Sequence, residues 1–222
     1  MNLKINQWSG RLGNNIRQLY NALVIATFYN YNIIIPKHTF FNTTYIVIND
    51  KINHHHKIII DKHGFFYSNK ISFTHTLQDS DFNTYNTTVV QLLQNLFTVQ
   101  NTLTLDSDDL VIHIRGGDIF SNNPHSAYIQ PPLSFYTNII NNNIFRDVYI
   151  ISEDTKNPCV NRLLELYPYI NFKLRTLKDD INLLLSSHNV IGSFGTFVPC
   201  LLLLSTNIQH VHYVSYISPK LF

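Results

Sequence analysis

Val111-Ile112-His113-Ile114-Arg115-Gly116-Gly117-Asp118 is an apolar run that stops abruptly at a cation, two glycines and a carboxylate. A short apolar run bounded by turn residues is how a strand buried in a parallel sheet reads. In open α/β sheets, ligands sit just outside the carboxyl ends of such strands. Arg115 then emerges at the strand end, where a fixed guanidinium can grip two phosphate oxygens at once. The glycines let the backbone turn sharply and approach a ligand closely. The segment points to an α/β fold with an anion site, and to a nucleotide as the bearer of the anion. A merely solvated charge after an ordinary strand is the competing reading of the same residues.

Working outward, strands are expected at residues 110–115, 148–152, 171–174, 189–192 and 211–214, with helices at 133–143, 157–166, 179–187 and 196–204 between them. Nearer the N-terminus, 3–7, 33–35, 45–48 and 57–61 read as strands, and 15–29 and 89–99 as helices. The helix at 15–29 places Ile16, Leu19, Tyr20, Leu23 and Ala26 on one face. Residues 66–86 are polar and aromatic, with no clear period. Strands alternating with helices imply a parallel sheet covered on both faces. A division near Asp106 is expected, giving domains at 1–105 and 106–222.

Hydrophobic residues make up 45% of the 222, enough for a core in one large domain or two small ones. A net charge of +2 with no clustered Lys/Arg stripe excludes nucleic acid as an expected partner. Cys159 and Cys200 lie far apart without metal-ligand spacing, and read as free buried thiols in a reducing compartment. The chain opens directly on a strand pattern, without a secretory segment, and its longest apolar run, 198–204, is too short to span a bilayer. A cytoplasmic protein without an integral membrane segment is expected.

No metal is expected. Adjacent side chains in the turn His54-His55-His56 point in different directions, and no carboxylate or cysteine stands at ligand spacing. Asp79-Ser80-Asp81 has no clear strand before it and reads as a solvated acidic turn.

Two further loops lie where strands feed helices. Gly10-Arg11-Leu12-Gly13-Asn14-Asn15 lacks the full G-x-G-x-x-G spacing. It is either an anion cradle at a helix N-terminus or a tight turn with Asn14 as N-cap. Ser193-Phe194-Gly195-Thr196-Phe197 offers hydroxyls and N–H groups to a phosphate, or an ordinary Ser/Thr cap. Asp180 opens the helix before it, where the helix dipole favours a carboxylate.

These segments together resemble the fucosyltransferase superfamily, which covers α-1,2-, α-1,6- and protein O-fucosyltransferases. Residues 113–118 resemble its H-x-R-R-G-D motif. Gly10, Gly13 and Asn14 match its G-G-L-G-N-Q and G-R-F-G-N-Q openings, with Asn15 at the usual Gln. Thr196 and Phe197 match its S-T-F-S segment, in which Val198 replaces the second Ser. Residues 148–154, ending Ser152-Glu153-Asp154, resemble its strand ending in F-S-D-D, and Asp180 matches an Asp that contacts the nucleotide in related enzymes. The matches occur in the family's order from residue 10 to 197. The family has a second Arg where this chain has Gly116, a departure that bears on which sugar nucleotide is the donor.

The resemblance implies an α/β fold of two Rossmann-like domains (GT-B type) with a reduced N-terminal domain. The N-terminal domain would supply the acceptor side and the C-terminal domain the nucleotide site. It implies metal-independent, inverting transfer of fucose from GDP-fucose to a glycan hydroxyl. The partners are a nucleotide sugar donor and a glycan acceptor, and the GDP-sugar is a substrate, with no further cofactor. The implied nucleotide-sugar contacts are Gly10, Gly13, Asn14, His113, Arg115, Glu153, Asp180, Thr196 and Phe197, to which Ser193 is added from its own hydroxyl at the strand end. Catalysis falls to Arg115, with Asp118 and His125 both open as the base. His125 lies in the loop after the motif, and an imidazole suits proton acceptance near neutral pH; Asp118 either accepts the proton or orients Arg115. Another nucleotide-sugar donor, or a nucleotide-sugar- or glycan-binding protein without turnover, are the alternatives.

Overall fold

The computed structural model of the chain describes residues 2–50, 57–60, 79–99, 103–124 and 130–214, with the backbone alone for 57–60 and 79–85. The fold is α/β and divides into two units, Met1–Thr98 and Val99–Phe222.

In the first unit, strands β1 (Asn2–Ile5), β2 (Asn32–Ile34), β3 (Tyr45–Ile46) and β4 (Lys57–Ile60) form a sheet in the order β3-β2-β1-β4. β1 runs parallel to β2 and β4, and β3 closes one edge antiparallel to β2. Helix α1 (Leu12–Tyr29) joins β1 to β2 and buries Ile16, Leu19, Leu23 and Ala26 completely, at helical spacing. It stops at Asn30, whose left-handed backbone (φ 60°) suits an asparagine cap. The helix begins at Leu12 rather than at 15. Its N-cap is Arg11, so Asn14 lies in the first turn and does not cap it.

Helix α2 (Asp79–Leu96) packs on α1. Its start is a correction to the sequence reading: Asp79-Ser80-Asp81 opens a helix instead of forming an acidic turn, well before the expected residue 89. Asn and Thr are weak helix formers, and they fill the first half of α2 around Phe82 and Tyr85. Val89 and Leu93, both fully buried and four residues apart, carry the packing that stabilises the helix. His54, His55, His56 and residues 66–78 lie outside the described residues.

The second unit runs β5 (Leu110–His113), α3 (Leu133–Asn142), β6 (Val148–Ile151), α4 (Pro158–Leu166), β7 (Asn171–Phe172), α5 (Leu177–Ser186), β8 (Asn189–Ile191), α6 (Phe197–Leu202) and β9 (His210–His212). All its strands are parallel, in the order β7-β6-β5-β8-β9. The chain therefore winds outward from β5 to β7, then returns to β8 and winds out the other way. Right-handed crossovers in opposite directions place helices on opposite faces. Accordingly α3 packs with α4, and α5 with α6.

β5 is apolar on both faces because both are covered. Leu110, Ile112 and Ile114 join Tyr136, Ile140, Val160 and Leu163 in one core cluster. Val111 is also fully buried and points the other way. At the amino end of β5, buried Asp109 accepts from Arg146 at 3.1 Å, while its carbonyl accepts from Asn189 at 2.9 Å. These contacts tie β5 to β8 and to the entry of β6. Among the described residues no helix is long and apolar enough to cross a membrane. Neither cysteine is in a disulfide; Cys200 is buried and Cys159 only half-buried.

Candidate functional site

The carboxyl ends of β5 and β8 adjoin where the winding direction reverses. That is the place where open α/β sheets bind ligands. The backbone there is fixed from several sides. The Arg115 N–H donates to Ser193 Oγ at 3.2 Å, and Ser193 Oγ lies 2.7 Å from His113 Nδ1. The Arg115 carbonyl accepts from Asn157 Nδ2 at 3.0 Å, while Asn157 Oδ1 accepts from the Cys159 N–H and caps α4.

The guanidinium is held as firmly. Arg115 Nη2 donates to both carboxylate oxygens of Asp118, at 3.1 and 2.9 Å. On its other side stands Gly195, where an added Cβ would come within 2.7 Å of Arg115 Nη1. Gly195 has φ +119°, a backbone that favours glycine. The Arg115 side chain is 16% exposed and that of Asp118 46%, so the pair sits at the rim with the cation the more enclosed. A cation oriented before any ligand arrives is the arrangement that electrostatic stabilisation requires.

The two glycines of the turn answer to β6. The Gly117 N–H donates to Asp154 Oδ2 at 3.1 Å. Gly117 has φ +62°, and an added Cβ would collide with the Glu153 carboxylate. At Gly116 a Cβ would meet the Asp154 carboxylate and stand 3.4 Å from Ser152 Oγ. The place of the family's second arginine is thus filled by the carboxyl end of β6. Asp154, Asn157 and Gly195 are absent from the residues chosen by sequence. Asn157 had a signal, being an N-cap type before Pro158. Gly195 lies inside a recognised motif, but its approach to Arg115 is a tertiary fact.

The remaining expected residues fall as follows. The His113 ring lies 5.1 Å from that of Phe197, tilted by 38°. Thr196 stands at the N-cap of α6 without a side-chain cap bond, and α6 is only 6 residues long. His125 lies outside the described residues. Gly10, Gly13 and Asn14 belong to the first unit. Gly10 has φ +69°, and an added Cβ there would collide with the Asn14 amide. The loop before Gly10 is braced by α1: Asn15 Nδ2 donates to the Ser9 carbonyl at 3.0 Å, and Gln18 Nε2 to that of Gln7 at 3.1 Å. His38 Nδ1 accepts the Phe40 N–H, so its proton is on Nε2 and donates to Asn15 Oδ1 at 3.2 Å. Asn15 is therefore a brace for the loop.

Asp180 sits in the first turn of α5, at the same edge of the sheet. It is 9% exposed, and its Oδ1 has no hydrogen-bond partner among the described residues. Burial pushes its carboxyl up to about 6; Arg175 opposes the shift and Asp179 adds to it. Between about pH 4 and 6 the folded state keeps a proton that the unfolded chain gives up, so stability falls as pH rises through that window. Asp180→Asn removes the penalty. At pH 7 the variant is expected to gain up to about 3 kcal/mol over wild type, and at pH 4 nothing, as urea denaturation at the two pH values will show. An equal difference at both pH values would contradict a raised carboxyl.

No protein-family model and no curated protein matches this chain. Solved structures similar to it include NodZ alpha-1,6-fucosyltransferase soaked with GDP-fucose, at 10% identity and a TM-score of 0.47 over 91% of this chain and 92% of that one. Another is fucosyltransferase NodZ from Bradyrhizobium, at 10% identity and a TM-score of 0.49, covering 91% of this chain and 93% of that one.

Proposed function

We propose that the second unit binds the diphosphate of a nucleotide sugar, and that the protein is a glycosyltransferase moving fucose from GDP-fucose to a glycan hydroxyl. The observation that carries this reading is Arg115, held by Asp118, Ser193 and Asn157 at the reversal of a parallel sheet, inside a motif that resembles the fucosyltransferases. We read the two units as two Rossmann-like halves, the first with the Gly10 loop towards the acceptor.

In the proposed step the acceptor oxygen attacks the anomeric carbon as the bond from that carbon to the β-phosphate oxygen breaks. GDP leaves with the bonding pair, and the acceptor proton passes to a base, with inversion. Arg115 neutralises the charge that grows on the diphosphate, a task a divalent cation performs elsewhere. Asp118, already bonded to Arg115, orients the clamp, which leaves His125 as the base to test first. Gly116 favours a second reading, the same transfer from a different nucleotide sugar, because the missing arginine's place is filled by Asp154.

A thermal-shift panel of GDP, UDP, CMP and dTDP separates the donors, since a ligand of the native state raises its midpoint. GDP alone is expected to do so, and GDP-fucose with an acceptor is expected to release GDP at an undiminished rate in EDTA. Loss of release on chelation, restored by manganese, would sink the metal-free step and bring forward Asp79 and Asp81. A midpoint raised by UDP and not by GDP would favour the second reading.

A further inference from the structure

Ser193 is 1% exposed, and its hydroxyl oxygen touches the Arg115 N–H at 3.2 Å and His113 Nδ1 at 2.7 Å. A hydroxyl has one proton to give and two lone pairs to receive with. The Arg115 N–H takes one lone pair. If His113 Nδ1 carried the imidazole proton, it would take the other, and the Ser193 proton would be buried without an acceptor. Leaving a buried donor unmet is penalised. With Nδ1 bare, Ser193 donates to it, and every group in the chain from Arg115 through Ser193 to His113 is satisfied. The His113 proton then resides on Nε2.

We propose that Ser193 is a positioning residue that fixes the tautomer of His113, so that the imidazole takes part in nucleotide binding as a neutral N–H donor beside the Arg115 cation. The position of Ser193 between strand and helix suggests a hydroxyl for the phosphate; its only proton is instead committed to His113. Phe197, tilted against the ring, holds the plane in which that donor lies. The nucleotide half of this assignment rests on the function proposed above, while the tautomer does not.

The experiment is a long-range proton–nitrogen spectrum of the labelled full chain without ligand, with His113 assigned by His113→Asn, followed by calorimetric titration with GDP. The wild-type ring is expected to show a bare, hydrogen-bonded Nδ1 and a protonated Nε2. Ser193→Ala is expected to move the Nδ1 resonance towards that of a bare nitrogen with no donor, and to weaken GDP about tenfold, the worth of one net hydrogen bond. Ser193→Thr keeps the hydroxyl and is expected to restore both. A proton on Nδ1 in the wild type would overturn the assignment, as would full GDP affinity in Ser193→Ala. If the wild type binds no GDP while its ring shows the Nε2–H form, the nucleotide reading falls and the tautomer assignment stands.

Discussion

Arg115→Lys is expected to lower turnover by roughly 10²–10³-fold while leaving the fold intact, the effect of losing one preorganised donor, about 3–4 kcal/mol in the barrier. Lysine keeps the charge but loses the planar fork. In the native site Nη2 donates to both oxygens of Asp118, so the planar group that would meet a diphosphate is already set at a fixed angle. An ammonium cannot serve the carboxylate and the ligand in the same fixed geometry. The fold should survive because the backbone of Arg115, through Ser193 and Asn157, stitches the loops together whatever the side chain. Circular dichroism and a urea midpoint check that part. Turnover within a few-fold of wild type would show that Arg115 is not the clamp.

The second large effect comes from a residue with no chemistry of its own. Gly195→Ala is expected to weaken GDP by about 10–100-fold. A side chain at φ +119° costs on the order of 1–3 kcal/mol, and relief can come only by moving the backbone or Arg115 Nη1. Both act on the same guanidinium, so the Gly195→Ala/Arg115→Lys pair should lose little more affinity than the worse single variant. Calorimetric titration of the four proteins completes the cycle. Fully additive losses would mean that Gly195 acts elsewhere than on Arg115.

Much of the second unit is legible in its residues, because an apolar run such as 110–114 fits only a doubly covered strand and its helices carry caps such as Asn157 and Thr176. The order of the strands is less legible. Nothing local in Asn189-Val190-Ile191 says that it returns to lie beside β5, and the rules of crossover leave more than one arrangement open. The first unit is harder still. α2 hides its beginning behind Asn and Thr, and β3 is two residues long. At the site, the residue types that bear charge announce themselves: Arg115, Asp118, Glu153. The residues that aim them do not. Gly195 matters through a neighbour 80 positions away, and Asn157 through a backbone carbonyl. Sequence alone could name Ser193 as a hydroxyl but could not say where its proton goes, since that depends on two atoms 78 and 80 residues distant.

The separation between β5 and β8 also sets the order in which the protein is born. β5 can pair with β6 as soon as the helix between them has emerged, but its other neighbour is translated some 80 residues later. Contacts so far apart in the chain close late, because the intervening loop must be ordered first. A nascent chain on the ribosome therefore holds Arg115 and Asp118 long before it holds Ser193 and Gly195. Nucleotide affinity should arise in one step, once residue 212 has emerged and β8 and β9 dock on a half-built sheet.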